Sequence, residues 1–152
     1  MAPQVVDTDL LRKIIREVIA EKVQLQPHHF EKNVDEQSGV ISVCAAEVKP
    51  KPFTTGKEGD RVYLTDLFTL EESPRLGSGI MEMKASCFDW VLKYDEIDYV
   101  IEGKLEVVID GRKIVGEAGD VILIPKDTAI QFSVPDFARF LYVTYPANWE
   151  EQ

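Results

Sequence analysis

The chain has 152 residues, 45% of them apolar, enough for one buried core and too few for two ordinary domains. Its 17 lysines and arginines stand against 27 aspartates and glutamates, and the formal charge of −10 excludes electrostatic capture of nucleic acid or of an anionic membrane. No run of about 18 to 20 apolar residues is present to span a bilayer, and "MAPQVVDTDLL" lacks the basic start and apolar stretch of a signal peptide, so a cytoplasmic location is expected.

In residues 7–23 the apolar pairs Leu10-Leu11, Ile14-Ile15 and Val18-Ile19 recur every three to four residues, with Arg12, Lys13, Arg16, Glu17, Glu21 and Lys22 between them. That spacing predicts an amphipathic α-helix, capped by Asp7 or Thr8. The stretch "QLQPHHFEKNVDEQSG" is polar and broken by Pro27, and reads as a loosely held linker carrying His28 and His29, the chain's two histidines. Residues 1–38 are therefore expected to form helix and linker, and residues 39–152 a separate β domain.

From Val40 onward short apolar runs alternate with Gly, Pro and Asp. Strands are predicted at residues 40–46, 61–67, 79–84, 88–92, 98–101, 105–109, 112–115, 121–124, 130–134 and 138–145. Asp110-Gly111 suits a two-residue type I′ hairpin, and Gly103-Lys104 reads as a second one. So many short strands predict an antiparallel sandwich or barrel. Cys44 and Cys87 form no CxxC pair and are expected as small core residues.

The stretch "YDEIDYVIEGKLEVVIDGRKIVGEAGDVILIPKDTAIQFSV" resembles the two-motif signature of cupins, which are small jelly-roll barrels. Glu96 stands seven residues before Gly103 and Gly119 six before Pro125, as the two motifs require. The positions of the family's metal-binding histidines fall instead on Trp90 and Leu92, or on Asp89 and Val91 under a longer spacing, and on Ile130. One carboxylate beside an indole and aliphatic groups does not replace three imidazoles, so no transition metal is expected; a hard oxygen-liganded ion such as Mg²⁺ remains compatible.

More closely, "FDWVLKYDEIDYVIEGKLEVVIDG", "AGDVILIPKDTAIQF" and "RFLYVTYPANWEE" resemble the ethanolamine-utilisation EutQ family, a histidine-poor cupin group. That resemblance covers residues 61–150 and implies an all-β, cupin-type double-stranded β-helix (jelly-roll) barrel behind the N-terminal helix. It further implies a place in the bacterial microcompartment that metabolises ethanolamine, and an acetate kinase activity using ATP and Mg²⁺. The chain has a shorter N-terminal segment than the longer family members.

Under this frame Trp90, Leu92, Tyr94 and Glu96 share one strand parity, and Glu96 takes an inward ligand position. In "GSGIMEMK" either Met81 and Met83 or Glu82 faces the barrel; the resemblance, in which a glutamate matches Glu82, favours Glu82. Glu82, Tyr94 and Glu96 are the catalytic candidates, and Trp90 and Asp98 the substrate-binding ones. Each has a plainer reading: Glu82 as a surface acid, Glu96 as a remnant of a metal site, Tyr94 and Trp90 as packing aromatics, Asp95 and Asp98 as turn and rim residues. "GSG" at residues 77–79 reads as a lone turn signal, and Trp149 of "PANW" as a seal on the barrel edge.

No G-x4-G-K-[ST] phosphate loop occurs, so the kinase expectation rests on resemblance alone. The rival reading is a non-catalytic assembly or small-metabolite-binding module. Under either reading the expected partners are a second copy in a homodimer, a small molecule in the barrel, and microcompartment shell or core proteins grooved for the helix.

Overall fold

The structure is a computed structural model describing residues 13–15 and 30–152. Residues 13–15 are helical, with Ile14 and Ile15 exposed; the rest of the helix expected over residues 7–23, together with His28 and His29, lies outside the described residues. Among the described residues no helix is long and apolar enough to cross a membrane.

The strands run in chain order β1 (Lys32–Val34), β2 (Ile41–Val43), β3 (Lys51–Pro52), β4 (Val62–Asp66), β5 (Gly77–Leu92), β6 (Asp95–Ile109), β7 (Arg112–Glu117), β8 (Val121–Ile124) and β9 (Thr128–Tyr145). β1 and β2 make a small antiparallel hairpin of their own. Asp35 fixes its turn by accepting the Ser38 N–H at 3.0 Å and the Ser38 hydroxyl. Phe30 and Val48 bury themselves against Leu67 and Ile80 in a second, smaller core. The predicted loose linker is thus corrected from Phe30 onward: one apolar anchor and an Asp-led turn order this part of it.

β3 to β9 form one antiparallel sheet in the order β3-β4-β5-β9-β6-β7, with β8 also paired to β6. Six of the predicted strands merge in pairs into the long strands β5, β6 and β9. The apparent breaks are irregularities within continuous strands. In β5 the register shifts between Lys84 and Ser86, where Ala85 adopts φ 43°. In β6 the shift falls around Gly103, so the hairpin expected at Gly103-Lys104 is corrected to a bulge. Gly103 has φ 79°, and a Cβ there would lie 2.0 Å from the Phe137 carbonyl oxygen. Only glycine lets β9 approach so closely.

Because of that bulge β6 changes partners along its length. Residues 96–99 lie between β9 and β8, and residues 106–108 between β9 and β7. The Asp110-Gly111 hairpin forms as predicted, with φ 48° and 76°. Alternate residues of the long strands fill the main core, among them Phe88, Val100, Leu105, Val107, Phe132 and Phe140. The cysteines are not in it. Cys44 is exposed before a surface 3-10 turn, and Cys87 is half-buried because strand alternation gives the inward places to Ser86 and Phe88.

Candidate functional site

The site is built on the first half of β6. Tyr94, Glu96, Asp98 and Val100 are buried while Asp95, Ile97, Tyr99 and Ile101 are exposed, so the inward parity read from the sequence continues through the bend after Leu92. Asp95 holds that bend by accepting the Lys126 backbone N–H at 2.9 Å.

Glu96 lines a cavity of about 30 Å³. Its walls are Met81, Leu64 and a set of aromatic rings that includes Trp90 and Tyr94 from the predicted residues, and Phe88, Phe132 and Tyr142 from β5 and β9. Phe53, Trp90, Tyr94 and Trp149 also line an adjoining surface groove of about 380 Å³, which Asp89, Lys93 and Glu150 complete. These four aromatics therefore separate a small inner chamber from a wide outer one.

Two polar connections fix the rings. Trp90 Nε1–H donates to the Tyr94 hydroxyl at 2.8 Å, which uses the acceptor side of that oxygen and leaves its own O–H to point elsewhere. Asp66 Oδ1 on β4 accepts the Tyr142 hydroxyl at 2.6 Å and the Trp149 Nε1–H at 3.3 Å. Gly77 and Gly79 prove to be strand residues of β5, correcting the expected turn. A Cβ on Gly79 would stand 2.0 Å from the Tyr142 oxygen, and one on Gly77 2.2 Å from Thr144 Oγ1.

Behind Glu96 lies Asp98, fully buried, so its expected rim position is corrected. Neither of its carboxyl oxygens has a donor partner among the described residues. The acid it interacts with is Glu96, and two buried carboxyl groups so placed do not both ionise. Burial pushes Glu96 up to about 7. Burial first, then the charge of Glu96, raises Asp98 well above the usual carboxylate range. Tyr94 is raised by burial and by the Glu96 charge, against a lowering contribution from Trp90, and so keeps its proton. Tyr142 is raised by burial and by Asp66.

Glu82 does not join this pair, and its predicted cavity position is corrected. Met81 and Met83 take the inward places, leaving Glu82 on the opposite face of β5 beside Ile80. There it ion-pairs with Arg139, its cross-strand partner on β9, which also donates to the carbonyls of Ala45 at 2.6 Å and Val48 at 2.9 Å. Glu82 ties the small second core to the barrel. Among the described residues no cluster of three or more His, Cys, Asp or Glu has a metal-holding arrangement. Trp90 and Ile130, two of the positions aligned with cupin histidines, face each other across β5 and β9. Asp66, Tyr142 and the cavity role of Trp149 are not apparent from the sequence, where their signals resemble those of any core aromatic and any strand-end acid.

This architecture is that of a cupin barrel. It is shared, at 16% identity, with an RmlC-like cupin from Shewanella frigidimarina over 82% of this chain and 99% of that one, with a TM-score of 0.56. Within that class the chain belongs to the family described as ethanolamine utilisation protein EutQ, whose model matches residues 5–151. It is 51% identical to "Acetate kinase EutQ" of Clostridioides difficile, over 97% of this chain and 96% of that protein. The solved structure of the Clostridium difficile EutQ protein is 57% identical, covers 82% of this chain and 92% of its own, and has a TM-score of 0.79. "Acetate kinase EutQ" of Salmonella typhimurium is 38% identical over 93% of this chain, which spans 62% of that longer relative.

Proposed function

We propose that this chain phosphorylates acetate with ATP and Mg²⁺ as part of ethanolamine utilisation in a bacterial microcompartment. The relatives' names support the activity. The observation that carries it here is the pairing of a small chamber, holding Glu96 and Tyr94, with a groove wide enough for nucleotide phosphates beside Lys93.

Acetate, with four non-hydrogen atoms, suits the inner chamber. Its methyl group packs on Phe88 and Phe132, and one carboxylate oxygen takes hydrogen bonds from the Tyr94 O–H and the proton-bearing Glu96. The other oxygen attacks the γ-phosphorus from the groove. The bond from phosphorus to the bridging oxygen breaks, ADP keeps that electron pair, and acetyl phosphate forms. Asp89 and Glu150 would hold Mg²⁺ against the phosphates, and Lys93 would offset the developing charge.

The test is an acetyl phosphate assay on wild type and Glu96→Ala. Loss of the hydrogen-bond donor lowers turnover by about tenfold or more; equal turnover removes Glu96 from the chemistry. Repeated on a chain lacking residues 1–23, the assay separates chemistry from address. We expect turnover to persist in solution while entry into the compartment is lost, and a truncated chain that still enters refutes targeting by that segment.

A second reading, a non-catalytic small-metabolite-binding module, is favoured by the lack of any lysine, arginine or histidine among the described residues that line the chamber. Absence of turnover in a folded wild-type protein supports it.

A further inference from the structure

We infer that the inner chamber also binds a small organic ammonium ion, with the ammonium group on the Glu96 carboxylate and the alkyl part between the aromatic rings, and that such an amine excludes acetate. The binding stands on the chamber alone; the competition with acetate rests on the proposed function.

The sign of the charge comes first. Among the described residues Glu96 is the one acid that lines the chamber, and no cationic side chain lines it. Asp98 behind it leaves two buried carboxyl oxygens without a donor among the described residues. Among the described residues the other titratable groups that bear on Glu96 add no positive charge. They are Tyr94 at the bend and Tyr142 across on β9, and Tyr142 in turn has the acids Asp66 and Glu150 as neighbours. A cation with N–H donors supplies what this pair lacks, while an anion enters only if the pair stays protonated.

The walls then choose the kind of cation. Phe88 meets Trp90 at 81°, Trp90 meets Trp149 at 63°, and Tyr94 meets Trp149 at 58°. Rings at such angles turn faces as well as edges toward the space between them, and the electron-rich face of an aromatic ring attracts an organic ammonium ion. A bare metal ion gains nothing from such walls, which cannot replace its shell of oxygen ligands. A space of about 30 Å³ limits the ligand to a few non-hydrogen atoms.

Three probes of similar size but different charge test this: ethylammonium, ethanol and acetate. The chain's two tryptophans, Trp90 and Trp149, both line the chamber, so intrinsic fluorescence reports its occupancy directly. At pH 8 ethylammonium should give a saturable change that neither ethanol nor acetate at equal concentration reverses. Its affinity should rise about tenfold from pH 6 to pH 8, as a carboxyl titrating near 7 loses its proton. Glu96→Gln should weaken binding at least tenfold. In the acetyl phosphate assay, ethylammonium should raise the apparent KM for acetate without lowering kcat.

No saturable ethylammonium signal at pH 8, tighter acetate than ethylammonium at that pH, or an affinity indifferent to pH would overturn the ammonium site. The probe comparison needs no variant, so misfolding of Glu96→Gln cannot rescue the idea. If ethylammonium binds as described but no acetyl phosphate forms, the kinase reading fails and the ammonium site stands. If it binds without affecting acetate kinetics, only the competition fails.

Discussion

At the scale of single residues, the pair Glu96 and Asp98 sets the chemistry. Glu96 was legible in the sequence because Gly103 anchors the motif frame, and period-two alternation then carries the inward face to Tyr94 and Asp98. Glu82 was not legible in the same way. Alternation says only that Glu82 and the methionines face opposite sides, and the deciding fact, Arg139 waiting on the other face, comes from a strand 57 residues away. Asp66, Tyr142 and Trp149 were hidden for the same reason, since they meet only through strand pairing distant in sequence. The carboxyl pair has a consequence for stability. Both groups hold protons in the folded chain at pH values where they lose them unfolded, so their contribution is complete below the ordinary values of 3.8 and 4.5 and falls as pH rises, through about 7 for Glu96. Asp35, Glu72 and Glu106 are lowered and act in the opposite sense, but only as pH falls below their ordinary range. Urea unfolding should therefore show wild type less stable at pH 8 than at pH 5. Asp98→Asn, whose amide can donate to an ionised Glu96, should show a smaller loss. A wild type that gains stability over that interval contradicts the assignment.

At the scale of elements, short apolar runs mark where strands lie but not how far they continue. The runs at 79–84 and 88–92 looked like two strands because Ala85 interrupts the alternation, and a bulge has the same local appearance as a turn. Asp110-Gly111 was legible because its two residues belong to one turn type and need no distant partner. β6 and β8 also carry an outward face whose use can be argued from register. Ile97 pairs with Leu123 and Tyr99 with Val121, and all four side chains are exposed, Leu123 and Val121 at 63%. Contiguous apolar residues on one sheet face are suited to a second copy of the same face, the homodimer expected from the sequence. Placing a charge at the centre of such a contact leaves it buried and unpaired, so Leu123→Glu should convert a dimer to a monomer in sedimentation. A wild type that sediments as a monomer at the same concentration removes the dimer.

At the scale of the whole molecule, the acidic balance and the ring-lined chamber set the terms on which any ligand enters. With a charge of −10, ATP is repelled unless Mg²⁺ accompanies it, whereas a small cation is drawn in. The all-β class was legible from composition and turn spacing. The identity of the chamber was not, because its walls come from β4, β5, β6, β9 and the C-terminal turn together. The chemistry of the chamber depends on a buried carboxyl that keeps its proton near neutrality and so can serve an anion or a cation according to pH. A carbon-13 NMR titration of the Glu96 side-chain carboxyl, assigned by comparison with Glu96→Gln, measures this directly. A midpoint near 7 that rises when acetate is added and falls when ethylammonium is added is the predicted result. A midpoint at the ordinary value of 4.5, unmoved by either ligand, would contradict it.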